Sequence, residues 1–318
     1  MRIALIAQPD ATPSSVMLTL DMVNIACRYP EAAGCQLDLL SIEGGVVRLS
    51  PQVCVETRAM PVALTGYGAV ILPGFFAGDA ATLIESVQTG WQPVIERLRT
   101  LSDDTLIAAS CYGTFVLGEA GVLDGIEATT TWWLHDLFRQ RYPAVRLDAD
   151  QTLADGGRCM TAGAMTAHAD LTLHVLRRLF GAALARQVGS IMLVDRARTS
   201  QRPYMLLRQR FDDPLIQRAS DWLVSRIAAA VSVEALADAL HVSYRTLHRR
   251  FQAAIGMPPL AYLQDLRVEH AKELLESTLL SFEQIVARVG YNDVSAFRRL
   301  FVRRAGLSPA QYRQRFRR

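Results

Sequence analysis

The chain has 318 residues, half of them apolar, which is enough for two domains with separate cores. No apolar run approaches the ~18–20 residues of a membrane span, and the opening MRIALIAQPD lacks the apolar segment and cleavage site of a signal peptide, so a cytoplasmic protein with no membrane partner is expected. Net charge is +3, but residues 1–200 carry 15 Arg against 20 Asp and Glu, or −5, while residues 201–318 carry 19 Lys and Arg against 11, or +8. An acidic half joined to a basic one implies that only the C-terminal part meets nucleic acid.

In chain order, residues 2–7 read as an apolar strand, 14–27 as a helix and 36–42 as a second strand. Residues 69–72 form a third strand that runs into Pro73-Gly74. Residues 106–110 are a buried strand, 113–120 a helix closed by Gly121, 127–131 a further strand, and 170–180 a helix before Gly181. Such alternation implies an α/β domain over residues 1–195, with a parallel sheet flanked by helices. Ligands of such sheets sit beyond the carboxyl ends of the strands, where both LPGF (72–75) and SCYG (110–113) fall.

Cys111 stands at a sharp strand-to-helix turn. The following helix N-terminus offers N–H groups and a positive dipole end, which favour thiolate over thiol. The N–H of Tyr112, with one from Gly74, can form an oxyanion hole. The five cysteines include no Cys-x-x-Cys pair, so no disulfide framework or zinc site is expected, and neither metal nor cofactor.

The stretches LPGF, the Cys111 elbow with LGEAGVLDG, and TAGAMTAHADL (161–171) resemble the class I glutamine amidotransferase-like superfamily in its PfpI-type branch. The resemblance implies a flavodoxin-like fold, and it also exposes departures. Tyr112 stands where the enzymes commonly have a His. Thr131-Trp132-Trp133 stands where regulator relatives carry Thr-His-Trp, so Trp132 occupies the expected base position and cannot accept a proton. His135, His168 and His174 read as surface or packing residues. The elbow therefore reads as a degenerate, non-catalytic pocket that binds a small effector, with Gly74, Phe75, Cys111, Tyr112 and Trp132 as candidate lining. Asp21 is a further candidate, because the family tends to place an acid near the Cys. Phe75 and Trp132 can equally be core residues. The rival reading is a Cys111-dependent amidase, hydrolase or deglycase fused to a DNA-binding domain. A third is a redox sensor at Cys111.

Residues 196–213 lose the alternation and read as the linker; DADQTLADGG (148–157) is an alternative break. Beyond it the chain repeats itself. Laid over 281–318 at an offset of 50, residues 231–268 match at Ala237/Ala287, Arg249/Arg299, Phe251/Phe301, Gly256/Gly306, Pro259/Pro309, Tyr262/Tyr312, Gln264/Gln314 and Arg267/Arg317. One supersecondary unit occurs twice. Each reads as a helix-turn-helix, the first at about 232–255 with Ser232 and Ser243 as helix caps, the second at about 282–304. Leu247, Phe251 and Ile255 face inward in one second helix, and Phe297, Leu300 and Phe301 in the other. The helix 259–277 between the units can hold the two recognition helices about one DNA turn apart, ~34 Å.

The segments SVEALADALHVSYRTLHRRF and FEQIVARVGYNDVSAFRRLFVRRAGLSPAQYR closely resemble the AraC/XylS family DNA-binding domain, which places an all-α domain with two helix-turn-helix motifs over residues 214–318. By matching position, the resemblance implies DNA contacts from Arg245, His248 and Arg249 in one helix and Ser295, Arg298 and Arg299 in the other. Tyr262, Tyr312, Pro259 and Pro309 read as packing and turn residues. Together the halves resemble GlxA-like regulators. That resemblance implies a transcription regulator of double-stranded promoter DNA, an activator working through RNA polymerase, a homodimer, and a small nitrogenous metabolite as effector.

Overall fold

The computed structural model describes residues 1–194, 198–207, 211 and 213–317. The chain divides into two compact units, Met1–Gln201 and Arg202–Arg318. That division falls inside 196–213, of which residues 196, 197, 208–210 and 212 lie outside the described residues, as does Arg318 at the end of the expected all-α domain.

The first unit runs β1 Arg2–Ile6, α1 Pro13–Ala26, β2 Gln36–Ser41, β3 Gly45–Ser50, β4 Val53–Ala59, β5 Ala69–Leu72, α2 Ala80–Thr89, α3 Gln92–Arg99, β6 Leu106–Ser110, α4 Gly113–Ala120 and β7 Glu127–Ala128. It continues through α5 His135–Arg141, β8 Arg146–Leu147, β9 Leu153–Asp155, β10 Cys159–Ala162, α6 Ala167–Phe180 and α7 Ala182–Ile191. Eight strands form one sheet in the order β3-β4-β2-β1-β5-β6-β10-β9. Its centre, from β4 to β10, is parallel, whereas β3 on β4 and β9 on β10 are antiparallel. The sheet is thus mixed where a parallel one is expected, because both edges are closed by hairpin partners that need no crossover helix.

Successive side chains of a strand face opposite sides. Ala4 and Ile6 of β1, with Val70 and Leu72 of β5, join a core under α2–α5. Ile3 and Leu5, with Ala69 and Ile71, join a second core under α1, α6 and α7. The expected strand at 127–131 stops at Ala128 and pairs only with β8. Thr129, Thr130 and Thr131 leave it as a buried polar loop, in which the Thr129 N–H donates to Thr161 Oγ1 at 2.8 Å. The place beside β6 belongs to β10. Gln201 closes this unit: its buried side-chain amide donates to the carbonyls of Thr130, Ala149 and Gln151 at 2.9–3.0 Å.

The second unit is all helical: α8 Pro214–Val224, α9 Val233–Ala239, α10 Tyr244–Ile255, α11 Pro259–Ser277, α12 Phe282–Arg288, α13 Val294–Ala305 and α14 Pro309–Phe316. Side-chain oxygens of Asp213, Ser232, Ser243, Ser281, Asp293 and Ser308 cap six of these helices, satisfying N–H groups that the first turn leaves free. Gly256 and Gly306, matched in the repeat, end α10 and α13 in the left-handed conformation, at φ 78° and 70°. Each helix-turn-helix has its own core, one around Leu247, Phe251 and Tyr262, the other around Phe297, Phe301 and Tyr312. Residues 202–205 pack on the second of them. Arg202 donates to the Arg303 carbonyl at 2.9 Å, and Lys272, the only lysine of the chain, donates to the Met205 carbonyl at 3.1 Å.

Candidate nucleic-acid interface and effector pocket

On α10 the buried Leu247 and Phe251 fix one face to the core, and this turns Arg245 and Arg249 outward into solvent. The half-buried His248 lies between them in sequence, its ring stacked on that of the exposed Tyr244 at 6.0 Å between centroids. Tyr244 is an addition to the residues read from the sequence, and its signal was an aromatic directly after the helix cap. On α13 the buried Phe297, Leu300 and Phe301 turn Ser295, Arg298 and Arg299 outward.

The six residues named from the sequence therefore lie on two exposed helix faces, but they are not equivalent. Arg298 is held back by its own unit, 3.8 Å from Glu283 and with its guanidinium 4.9 Å from the centre of the Phe282 ring. Among the described residues Arg245, Arg249 and Arg299 have no ion-pair partner. Arg250, next to Arg249, points the other way. It forms a two-pronged ion pair with Asp213, the cap of α8, and so ties α8 to α10.

In the first unit the elbow is built by close contact. Cys111 has φ 53°, a left-handed conformation that is strained for any residue with a Cβ. Gly74 permits it, because a Cβ there would lie 2.7 Å from the Cys111 Cβ; a Cβ on Gly113 would lie 2.8 Å from the Pro73 carbonyl oxygen. Thr114 accepts the strain locally, donating to the Cys111 carbonyl at 2.7 Å and pairing with Thr130.

Cys111 is only 4% exposed, and burial pushes its thiol up to about 12, although the Tyr112 N–H facing it pulls the other way. The expectation of a favoured thiolate is thus overturned. Desolvation of the anion outweighs the helix terminus. Of the two readings, surface or packing, His168 takes the packing one. It is fully buried behind the elbow, Nδ1 2.8 Å from Ser110 Oγ and Nε2 2.7 Å from Thr19 Oγ1, and burial lowers it to about 4.

The aromatics of the elbow meet in a chain. Phe75 contacts Trp91 at 5.0 Å and Tyr112 at 6.0 Å, and Tyr112 contacts Trp133 at 6.3 Å. The Trp133 indole N–H donates to the Tyr112 hydroxyl at 3.1 Å, while Trp132 packs edge-to-face with Trp133 at 5.3 Å. Trp133, 41% exposed, is thus the tryptophan packed on Tyr112, where the sequence named Trp132 as the lining residue. Asp21 is exposed on the outer face of α1, whose inward residues are Ser15, Val16, Thr19, Met22, Val23 and Ala26. The polar residue of that region that does reach the elbow is Thr12, buried against Gly74, with its N–H donating to the Gly74 carbonyl at 2.8 Å.

A separate open cleft of about 610 Å³ lies between β9 and α6, lined by Gln151, Leu153, Asp170, Leu173, His174, Arg177, Arg198 and Thr199. It shares no residue with the elbow. Among the described residues no helix is long and apolar enough to cross a membrane, and no three His, Cys, Asp or Glu side chains gather as a metal site.

A helix-turn-helix domain model matches residues 236–315. The chain is 30% identical over 280 residues to the HTH-type transcriptional regulator CdhR of Pseudomonas aeruginosa, covering 86% of this chain and 80% of that protein. It is 30% identical over 214 residues to the HTH-type transcriptional regulator ArgR of the same species, covering 65% of this chain and 64% of that one. To the regulator GbdR it is 25% identical over 211 residues and spans 57% of that protein's length. Among solved structures the α/β unit is similar in fold to Drosophila melanogaster DJ-1beta, at TM-score 0.51 and 20% identity over 61% of this chain and 98% of that one. It is similar also to Schizosaccharomyces pombe DJ-1, at TM-score 0.51 and 12% identity over 61% of this chain and all of that one. With two capped helix-turn-helix units behind a DJ-1-like domain, and CdhR matched over most of both lengths, this chain belongs to the AraC family of helix-turn-helix transcriptional regulators.

Proposed function

We propose that this regulator reads two successive major grooves of promoter DNA through α10 and α13 and adjusts that binding to a small metabolite held at the Cys111 elbow. The carrying observation is the pair of recognition helices in matched register, each with its apolar face buried and an arginine at the same position, Arg249 and Arg299, free of ion-pair partners among the described residues. The guanidinium fork suits guanine O6 and N7. Arg245, His248 and Ser295 supplement them at base edges, and Arg298, steadied by Glu283, suits a phosphate.

The elbow acts as a binding pocket and not as a catalyst in this reading. Two features support that: a thiol whose anion is disfavoured by burial, and histidines engaged elsewhere. His168 lies between Ser110 and Thr19, His135 on the Trp132 carbonyl, and His174 on Asp155. Gly74, Phe75, Cys111 and Tyr112, joined by Thr12 and by Trp133 in place of Trp132, line the pocket, whereas Asp21 faces away. Aromatic faces attract cations, which fits a nitrogenous metabolite. The family resemblance adds activation through RNA polymerase and a cytoplasmic homodimer to this reading.

Fluorescence anisotropy on promoter DNA at fixed salt tests the first part. Arg249→Ala and Arg299→Ala each weaken specific binding by ~1–3 kcal/mol and relax base preference. Unchanged affinity in both overturns the docking. Amines and amino acids that raise the melting temperature of the wild type but not of Tyr112→Ala place the effector at the elbow. A turnover that disappears in Cys111→Ser restores the enzyme reading.

A further inference from the structure

The helix α11 belongs to both helix-turn-helix units, and the changeover occurs within three residues. Leu266 is buried in the first core and Val268 in the second. Between them, Arg267 turns aside and donates from Nε to the Ile227 carbonyl at 2.9 Å and from Nη2 to the Ala229 carbonyl at 2.7 Å. Both acceptors lie in the segment that joins α8 to α9, on the side of the first helix-turn-helix. The same guanidinium lies 5.3 Å from the centre of the Tyr291 ring, in the turn between α12 and α13 of the second unit. One residue back, Gly290 has φ 77°, and a Cβ there would lie 2.6 Å from the Ala228 carbonyl oxygen. The loop of the first helix-turn-helix and the turn of the second are therefore in backbone contact, and Arg267 ties the two together from the shared helix.

The repeat sharpens the point. Arg317 occupies the position of Arg267 in the second helix-turn-helix, and it is exposed after α14. A helix shared by two small cores leaves their relative rotation to whatever bridges the seam. A planar fork on two carbonyls and a ring resists rotation better than a flexible ammonium does.

We propose that Arg267 is a positioning residue that sets the angle between α10 and α13, and through it the spacing and phase of the two half-sites that the regulator accepts. The inference rests on the two-groove reading above.

The test uses the full chain and duplexes that the wild type selects from a randomised library, with the spacer between half-sites then lengthened by two base pairs. That insertion turns one half-site by roughly 70° about the duplex. Wild type loses at least about tenfold in affinity, Arg267→Met loses less than about threefold, and Arg267→Lys falls between. Equal discrimination by wild type and Arg267→Met overturns the proposal. If the selected duplexes contain a single half-site, the two-groove reading fails, and the lock is then judged by amide exchange alone. Arg267→Met must speed exchange in both 227–231 and 290–293 while leaving the interiors of α10 and α13 protected. Wild-type exchange in those two segments overturns the lock whatever the DNA result.

Discussion

Around Cys111 the polar groups behind the elbow are enclosed: the thiol buried, Ser110 and Thr19 on a buried histidine, Thr114 on Thr130 and on the elbow's own carbonyl. Along α10 and α13 Arg245, Arg249, Ser295 and Arg299 stand in solvent, and the protein fixes mainly the apolar side of each helix. The difference follows from the partner each surface suits. A small ligand must be desolvated to be recognised, so its pocket needs preset partners and tolerates a backbone as strained as that of Cys111. A duplex arrives with its own charge and counterions, so exposed arginines bind it with little preorganisation and with strong dependence on salt.

The contrast can be broken most forcefully at His168. In the unfolded chain this imidazole titrates near its ordinary 6.5; in the fold, burial holds it near 4. Between those values the unfolded state carries the extra proton, so folding stability falls as pH drops from 6.5 to 4, by about 3 kcal/mol at the lower end. Melting of the full chain across this range should show the fall, and His168→Gln should lose most of it. An unaltered pH dependence in that variant would show that the histidine is not the buried base described.

A smaller effect, ~1–3 kcal/mol, is expected for Gly74→Ala, whose new methyl must displace the Cys111 Cβ. The loss should appear in denaturant unfolding, with half-maximal DNA binding unchanged in the folded protein. Damage to DNA affinity itself would mean that the elbow and the recognition helices are less independent than this contrast implies.

Within the DNA-binding unit, Arg298→Ala should cost less than ~1 kcal/mol of specific affinity and mainly lower the salt slope, against the larger loss for Arg299→Ala. Anisotropy titrations at several salt concentrations separate the two. Equal losses would mean that Arg298 leaves Glu283 and Phe282 to read a base. Ser281→Ala should have an effect of comparable size on stability, about 1 kcal/mol, because it removes the capping box with Gln284 from α12. Thermal unfolding checks it, with DNA contacts on α13 intact.

Much of this molecule is legible residue by residue. Strands 69–72 and 106–110 and helices 113–120 and 259–277 have the bounds expected of them, since Pro73, Gly113, Gly121 and Pro259 punctuate the chain locally. The recognition helices were legible for the same reason, with cap, apolar spacing and terminal glycine all in register. The antiparallel edges β3 and β9 were not, because pairing partners are chosen across the sheet. Nor was the choice between Trp132 and Trp133, which depends on where the Thr129–Thr131 loop leaves β7.

By itself, then, the order of residues determined the duplicated helix-turn-helix units, the strand that ends in the Cys111 elbow and the outward arginines, all set by local propensity, capping and periodicity. Only the tertiary structure decided the state of the thiol, the burial of His168, the outward turn of Asp21 and the place of Arg267 at a seam. Each of these depends on how much water and which distant neighbours a side chain is left with, and neighbours brought together from far along the chain leave no local pattern.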